Sequence, residues 1–206
     1  MADQIKWGIL GNAMIARKCV IGAIQKSCNG RVHALATRSP GSATEVANEN
    51  GIGKIYGSYD ALLADSEIDA VYVPLPNHMH LPWTLKALSA GKHVLCEKPL
   101  ACNAEEARQM ASKANASGLH LMEAYMYRFH PRSRRIKQTV DQGAIGKPCL
   151  VRSAFCYHMD ESILSSGDNA RLKTEMGGGA LLDVGCYSVS VARWLLATEP
   201  TAVQAQ

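Results

Sequence analysis

Lys98 is the residue whose type and place most suggest chemistry. It stands in Leu95-Cys96-Glu97-Lys98-Pro99, after a short apolar strand, Lys92 to Cys96, and before a helix beginning near Asn103. In open α/β sheets, ligands bind outside the carboxyl ends of the strands. Pro99 has no N–H and fixes its own φ, so the ammonium rests on a stiff mount. Most strand-end lysines are solvated charges, and a catalytic one needs a neighbouring site.

The segment Gly8-Ile9-Leu10-Gly11-Asn12-Ala13-Met14-Ile15-Ala16 closes the first strand and opens the first helix. It departs from the strict G-x-G-x-x-G fingerprint and keeps Gly8, Gly11 and the small Ala13 and Ala16. Gly11 supplies the tight turn, and a small residue at 13 lets the backbone approach a pyrophosphate. The N–H groups of Asn12, Ala13, Met14 and Ile15 are then placed for phosphate oxygens at a helix N-terminus. The plain alternative is a tight βα turn. The second strand ends in Thr37-Arg38-Ser39-Pro40, without the acid that an NAD ribose favours. An arginine and two hydroxyls suit a 2′-phosphate, so NADP is expected over NAD. NAD stays possible, because an arginine stacked on adenine serves either cofactor.

Strands and helices alternate through residues 1–124, the expected first domain. Strands are expected at Ile5 to Leu10, Arg31 to Thr37, Asp69 to Val73, Lys92 to Cys96 and Leu119 to Ala124. Helices are expected at Ala13 to Lys26, Ser42 to Glu49, Tyr59 to Ala64, His80 to Ala90 and Ala104 to Ser117, with Asn103 as N-cap. Near-continuous apolar strands between amphipathic helices predict a parallel sheet covered on both faces.

Residues 125–206 read differently, as an incomplete α+β domain. Helices are expected at Pro131 to Gln142 and Ala180 to Leu196, an antiparallel-type strand at Pro148 to His158, and a polar loop at Asp160 to Lys173. Ala202 to Gln206 looks like the start of another strand. Asp183 and Tyr187 are four apart on the last helix, so both are expected on one face. Gly177, Gly178 and Gly179 would let that helix start close to a ligand. A tyrosine there is otherwise an aromatic core residue.

The chain has 206 residues, 47% hydrophobic and 19% charged, with net charge +4. This is an ordinary globular composition, sized for one domain or one and part of a second. No apolar run approaches the roughly 18 residues of a membrane span, and no signal-peptide core precedes the first strand. Basic residues cluster only at Arg132-Ser133-Arg134-Arg135, so no nucleic-acid partner is expected. The seven cysteines form no C-x-x-C pair and no zinc spacing. They read as reduced thiols of a cytoplasmic protein, with Cys186 a buried inert thiol and no metal site.

With Glu97-Lys98-Pro99, the glycine loop and Gly177 to Tyr187 in hand, the chain resembles the Gfo/Idh/MocA oxidoreductases. Further matching segments are Tyr59 to His80, ending Pro76-Asn77-His78-Met79-His80, and Met122 to Pro131. The branch most resembled holds glucose–fructose oxidoreductase, dihydrodiol dehydrogenase and NADP-dependent xylose dehydrogenase. The resemblance implies a Rossmann doubly wound parallel sheet followed by part of a C-terminal α+β domain that continues past residue 206. It implies a hydride transfer between nicotinamide and a carbinol or carbonyl carbon of a sugar or cyclic diol. Pro74, Leu75, Asn77, His80, Glu97 and Lys98 would line the nicotinamide pocket, with Arg128 and His130 as further candidates. Many members carry histidine where this chain has Tyr187, and the branch named carries tyrosine. Tyr187 is then the implied general base, Lys98 its electrostatic partner, since a nearby positive charge favours the phenolate, and Asp183 completes the catalytic set. Homo-oligomers are implied for full-length members. The competing expectation is a dinucleotide-binding sensor without catalysis, against which stand Lys98, Asp183 and Tyr187 together.

Overall fold

The computed structural model describes residues 4–205. Two compact units divide the chain, Met1–Ala124 and Tyr125–Gln206. The first holds six strands: β1 (Ile5–Leu10), β2 (Gly30–Ala36), β3 (Lys54–Tyr56), β4 (Ala70–Val73), β5 (His93–Cys96) and β6 (Leu121–Glu123). All pair in parallel, in the order β3-β2-β1-β4-β5-β6. That is the doubly wound Rossmann arrangement, whose strand order reverses between β1 and β4.

Helices α1 (Ile21–Gln25), α2 (Thr44–Asn50), α3 (Tyr59–Leu63), α4 (His80–Ser89) and α5 (Ala104–Ser117) connect the strands. The Asn103 side chain accepts from Glu106 N at 2.9 Å and caps α5. Gly118 (φ 64°) ends α5 in the left-handed conformation, where glycine has no Cβ to clash. Two apolar clusters flank the sheet. Leu10, Val71, Val73, Val94 and Met110 lie in one; Ile9, Leu35, Val46 and Tyr72 lie in the other. Neighbours on one strand, Ile9 and Leu10 or Tyr72 and Val73, therefore point to opposite faces.

In β2 that alternation is interrupted. Trp7 faces Val32 and Gly8 faces Ala34, so His33 is an extra residue, a bulge. It places Val32 and Leu35 in the same cluster despite their odd spacing. Strand β3 was missed in the sequence because three residues at the sheet edge are too few to show alternation.

The second unit contains α6 (Pro131–Asp141), α7 (Glu161–Ser166) and α8 (Cys186–Leu196). Helix α7 and 3-10 turns at Ala170–Leu172 and Thr174–Met176 replace the expected polar loop. Residues 148–158 form no strand, and residues 201–205 are likewise irregular; position 206 lies outside the described residues. A ladder needs a second strand to take its N–H and C=O groups, and none among the described residues pairs with 148–158. The odd positions pack on α8 and the turn before it instead. Ser153 Oγ donates to Ser188 Oγ at 3.0 Å, the Phe155 ring lies 5.2 Å from that of Tyr187, and Tyr157 Oη donates to Asp183 at 2.6 Å.

Candidate active site

The carboxyl ends of β1, β2, β4 and β5 carry the candidate residues of the first unit. After β1, Gly11 takes φ +106° and donates its N–H to Ala36 O at 2.8 Å. A Cβ at Gly11 would stand 3.0 Å from Leu75 Cδ2 and 3.4 Å from Tyr59 Oη. Both the turn and the space therefore require glycine. Helical structure starts at Met14 and runs through a π-helical turn, Ala16–Val20, into α1. The first N–H groups of a helix have no partner within it, which leaves donors at Asn12 to Ile15 for an anion. Met14 and Ile15 are exposed and Ala13 half-buried. Gly8 serves another purpose. It is buried within β1, and a Cβ there would meet Leu62 Cδ2 at 2.6 Å, so it lets α3 pack on the sheet and contacts no open surface.

The loop after β2 is tied to the glycine turn. Asn12 Nδ2 donates to Ser42 O at 2.9 Å, and Ser42 donates through N and Oγ to Ser39 O at 3.0 and 2.7 Å. Thr37 is buried, and its Oγ1 accepts from Ser39 N at 3.3 Å. Arg38 and Ser39 are exposed beside it, where a 2′-phosphate could be met.

The third group joins β4 to β5. Tyr72 is fully buried in β4, and its hydroxyl donates to Glu97 Oε1 at 2.6 Å. Burial and the Glu97 carboxylate together push the Tyr72 phenol far above its ordinary range. Glu97 Oε2 accepts from the Lys98 N–H at 3.2 Å, and Glu97 N donates to Val73 O at 3.1 Å. The Lys98–Pro99 peptide is cis. Beyond it, Leu100 N donates to Glu123 Oε1 at 2.8 Å. His80, the first residue of α4, is 0% exposed. Its Nδ1 lies 2.8 Å from Pro99 O and its Nε2 lies 2.8 Å from Leu75 O. Burial lowers the imidazole pKa, opposed by these two carbonyls and by Glu97. Pro74 and Leu75 are buried and Asn77 half-buried in the turn before α4.

In the second unit, the helix bearing the other candidates begins with a π-helical turn, Leu181–Gly185, that contains Asp183. Asp183 lies in that turn and Tyr187 in the first turn of α8 (Cys186–Leu196). Arg171 Nε donates to Asp183 Oδ1 at 3.0 Å, alongside the Tyr157 bond to Oδ2. Tyr187 Oη donates to Met126 Sδ at 3.6 Å, and its ring packs edge-on against Tyr125 and Phe155. Arg128 donates to Ser190 Oγ at 3.0 Å, while the exposed His130 caps α6 through Nδ1. The glycine run has a local purpose. A Cβ on Gly178 would stand 2.7 Å from three carbonyl oxygens, of Ala170, Arg171 and Lys173. Glycine at 178 is thus needed for the chain to fold onto its own preceding turns.

Residues 5–125 match the family described as "Oxidoreductase family, NAD-binding Rossmann fold", GFO/IDH/MocA, and residues 133–206 match the GFO/IDH/MocA C-terminal domain. The chain belongs to the GFO/IDH/MocA oxidoreductase family. Among its relatives, a D-xylose 1-dehydrogenase (NADP(+)) of Haloferax volcanii is 44% identical over 93% of this chain and 57% of its own length. A trans-1,2-dihydrobenzene-1,2-diol dehydrogenase of Mus musculus is 35% identical over 90% of this chain and 54% of its own. A 3-ketoreductase of Actinomadura kijaniata, solved with NADP and TDP-benzene, is 33% identical with TM-score 0.80, over 94% of this chain and 58% of its own. The chain thus spans a little over half the length of these GFO/IDH/MocA relatives.

Within the first unit the structure places Gly11, Asn12, Thr37, Arg38 and Ser39 past the carboxyl ends of β1 and β2, and Glu97 and Lys98 past that of β5, with β4 between. His80 departs from the sequence expectation, because its ring is sealed behind the wall it was expected to line. Tyr72 was overlooked. Its signal was a lone phenol in the otherwise aliphatic strand Ala70-Val71-Tyr72-Val73, since a buried tyrosine hydroxyl seeks a partner. Among the described residues, His33, Asp65 and Glu67 bring ligating atoms within 4.8 Å of one another. Lys54 Nζ already donates to both carboxylates, at 2.9 and 2.7 Å, so this candidate cation site is empty and its charge is met by the lysine. No helix among the described residues is long and apolar enough to cross a membrane.

Proposed function

We propose that this chain carries the cofactor-binding part, and the first portion of the substrate part, of an NADP-preferring oxidoreductase acting on CH–OH groups of sugars or cyclic diols. The reading rests above all on Gly11, whose left-handed turn sits where the strand order reverses and leaves helix-start N–H groups open to a pyrophosphate. The residues fit a dinucleotide, because Gly11 at φ +106° turns the chain straight from β1 into the helix start, whose first N–H groups point past the end of the sheet. When bound, nicotinamide accepts or gives the hydride.

In this reading the N–H groups of Asn12 to Ile15 hold the pyrophosphate, and Arg38 with Ser39 meets the 2′-phosphate. Lys98 supplies positive charge where the carbinol oxygen gains negative charge as its proton leaves. Tyr187 moves that proton as general base in oxidation and general acid in reduction. Asp183 is proposed to keep the start of that helix in place through Arg171 and Tyr157. The NADP-linked xylose dehydrogenase and the diol dehydrogenase among the relatives support the substrate class.

The test is NADPH absorbance with a panel of aldoses and cyclic diols, in the unaltered chain and in Lys98→Ala. Turnover should fall in the variant by roughly 10²-fold or more while NADPH binding persists. Cofactor binding without turnover of any panel member would instead favour the non-catalytic sensor.

A further inference from the structure

The turn bearing Lys98 is gripped on both sides by fully buried rings. On the β4 side, Tyr72 holds Glu97, whose second oxygen takes the Lys98 N–H. On the α4 side, the His80 ring lies against the Pro99 carbonyl. Its other nitrogen reaches Leu75 O, and the Leu75 side chain backs the glycine turn, since a Cβ at Gly11 would touch it at 3.0 Å. One imidazole therefore spans the wall behind the phosphate turn and the turn that carries the ammonium. Both partners are carbonyls: a neutral imidazole donates its one N–H to one of them, an imidazolium donates to both, and a hydrocarbon side chain donates to neither.

We propose that His80 is a positioning residue for Lys98, acting through the Pro99 carbonyl and never touching the cofactor. Placement on the first residue of α4 gives the ring a rigid base. Losing it takes the donor from a buried carbonyl, and the turn must move to rehydrate it. The proposal rests on the reading of Lys98 given above, and its consequence is specific: the ammonium loses its aim, while the phosphate turn stays formed on its own bonds, Gly11 N to Ala36 O and Asn12 Nδ2 to Ser42 O.

The test uses His80→Leu and His80→Gln in the 206-residue chain. Three quantities are read: the rate at which an amine-acylating reagent modifies Lys98, measured on the isolated peptide by mass spectrometry; NADPH affinity by fluorescence; and kcat on any aldose or diol that turns over. For His80→Leu, Lys98 acylation should change by at least about threefold and kcat should fall about ten- to a hundredfold, the scale of a small misplacement. NADPH affinity should hold within about threefold. His80→Gln, which keeps an N–H donor, should recover much of the loss. Unchanged acylation and kcat in a folded His80→Leu would overturn the proposal. So would NADPH affinity falling in step with kcat in both variants, which would make His80 a cofactor contact. Should His80→Leu not fold, NMR of the unaltered chain decides: His80 ring N–H signals should be protected from solvent exchange, and rapid exchange overturns the bridge. If NADPH does not bind and no substrate turns over, the oxidoreductase reading fails, while Lys98 acylation still decides the role of His80.

Discussion

Tyr72 and Glu97, 25 residues apart in sequence, meet at 2.6 Å beneath the Lys98 turn, the phenol donating and the carboxylate accepting. Replacing Tyr72 with Phe keeps the ring but removes the donor. A hydrogen bond to a charged group contributes about 1.5–3 kcal/mol, so urea unfolding of Tyr72→Phe should show a loss in that range. A loss under about 0.5 kcal/mol would mean that water or another donor replaces the phenol, as at an ordinary surface position.

Gly11→Ala tests the phosphate turn. A non-glycine residue held at φ +106° carries strain of order 1–3 kcal/mol, and the new Cβ would press on Leu75. NADPH affinity should fall by at least about tenfold, read by fluorescence titration. Retained affinity would move the cofactor away from this turn.

Arg38→Ala tests cofactor choice. A charge-assisted bond to the 2′-phosphate of about 1.5–3 kcal/mol corresponds to roughly ten- to a hundredfold in affinity. NADP should weaken by that factor and NAD much less. Equal weakening of the two would make Arg38 an adenine stack.

Acid stability should reflect Lys54. Its hydrogen bonds hold Asp65 well below the usual carboxylate range and, with Lys6, hold Glu67 at about 2 against an ordinary 4.5. Both are depressed in the folded state, so their stabilisation is present above about pH 4.5 and is lost as pH falls towards 2. The urea midpoint should drop through that window, and Lys54→Met should flatten the drop. An identical acid profile in the variant would assign the effect to other carboxylates.

The strands of the first unit were legible because buried parallel strands are short, apolar and bounded by turn residues, as Ala70 to Val73 and His93 to Cys96 are. Gly11 was legible because its place at the first βα turn is set by topology. Relationships across the sheet were not. Nothing local to Tyr72 names Glu97, and His80 reads as a polar residue near a strand end, whereas only the folded loops bring Leu75 O and Pro99 O to its two nitrogens. For residues 148–158 alternation was read on even positions as a strand. No ladder forms there; its odd residues meet a helix and the turn before it, and period two alone does not say what lies opposite.

The extra residue at His33 gives β2 two parities, one for Val32 and the part before it, another for Ala34, Leu35 and Ala36. Were the bulge flattened with all its residues kept, strict alternation would put Val32 and Leu35 on opposite faces. Val32 would exchange faces with the solvent-facing Arg31, or Leu35 would trade places with Ala34 and Ala36. Loss of position 33 itself would leave every face as it is, so the strand that leads to Thr37 and Arg38 has one place where a residue can be shed silently, and its polarity is set by where that place lies.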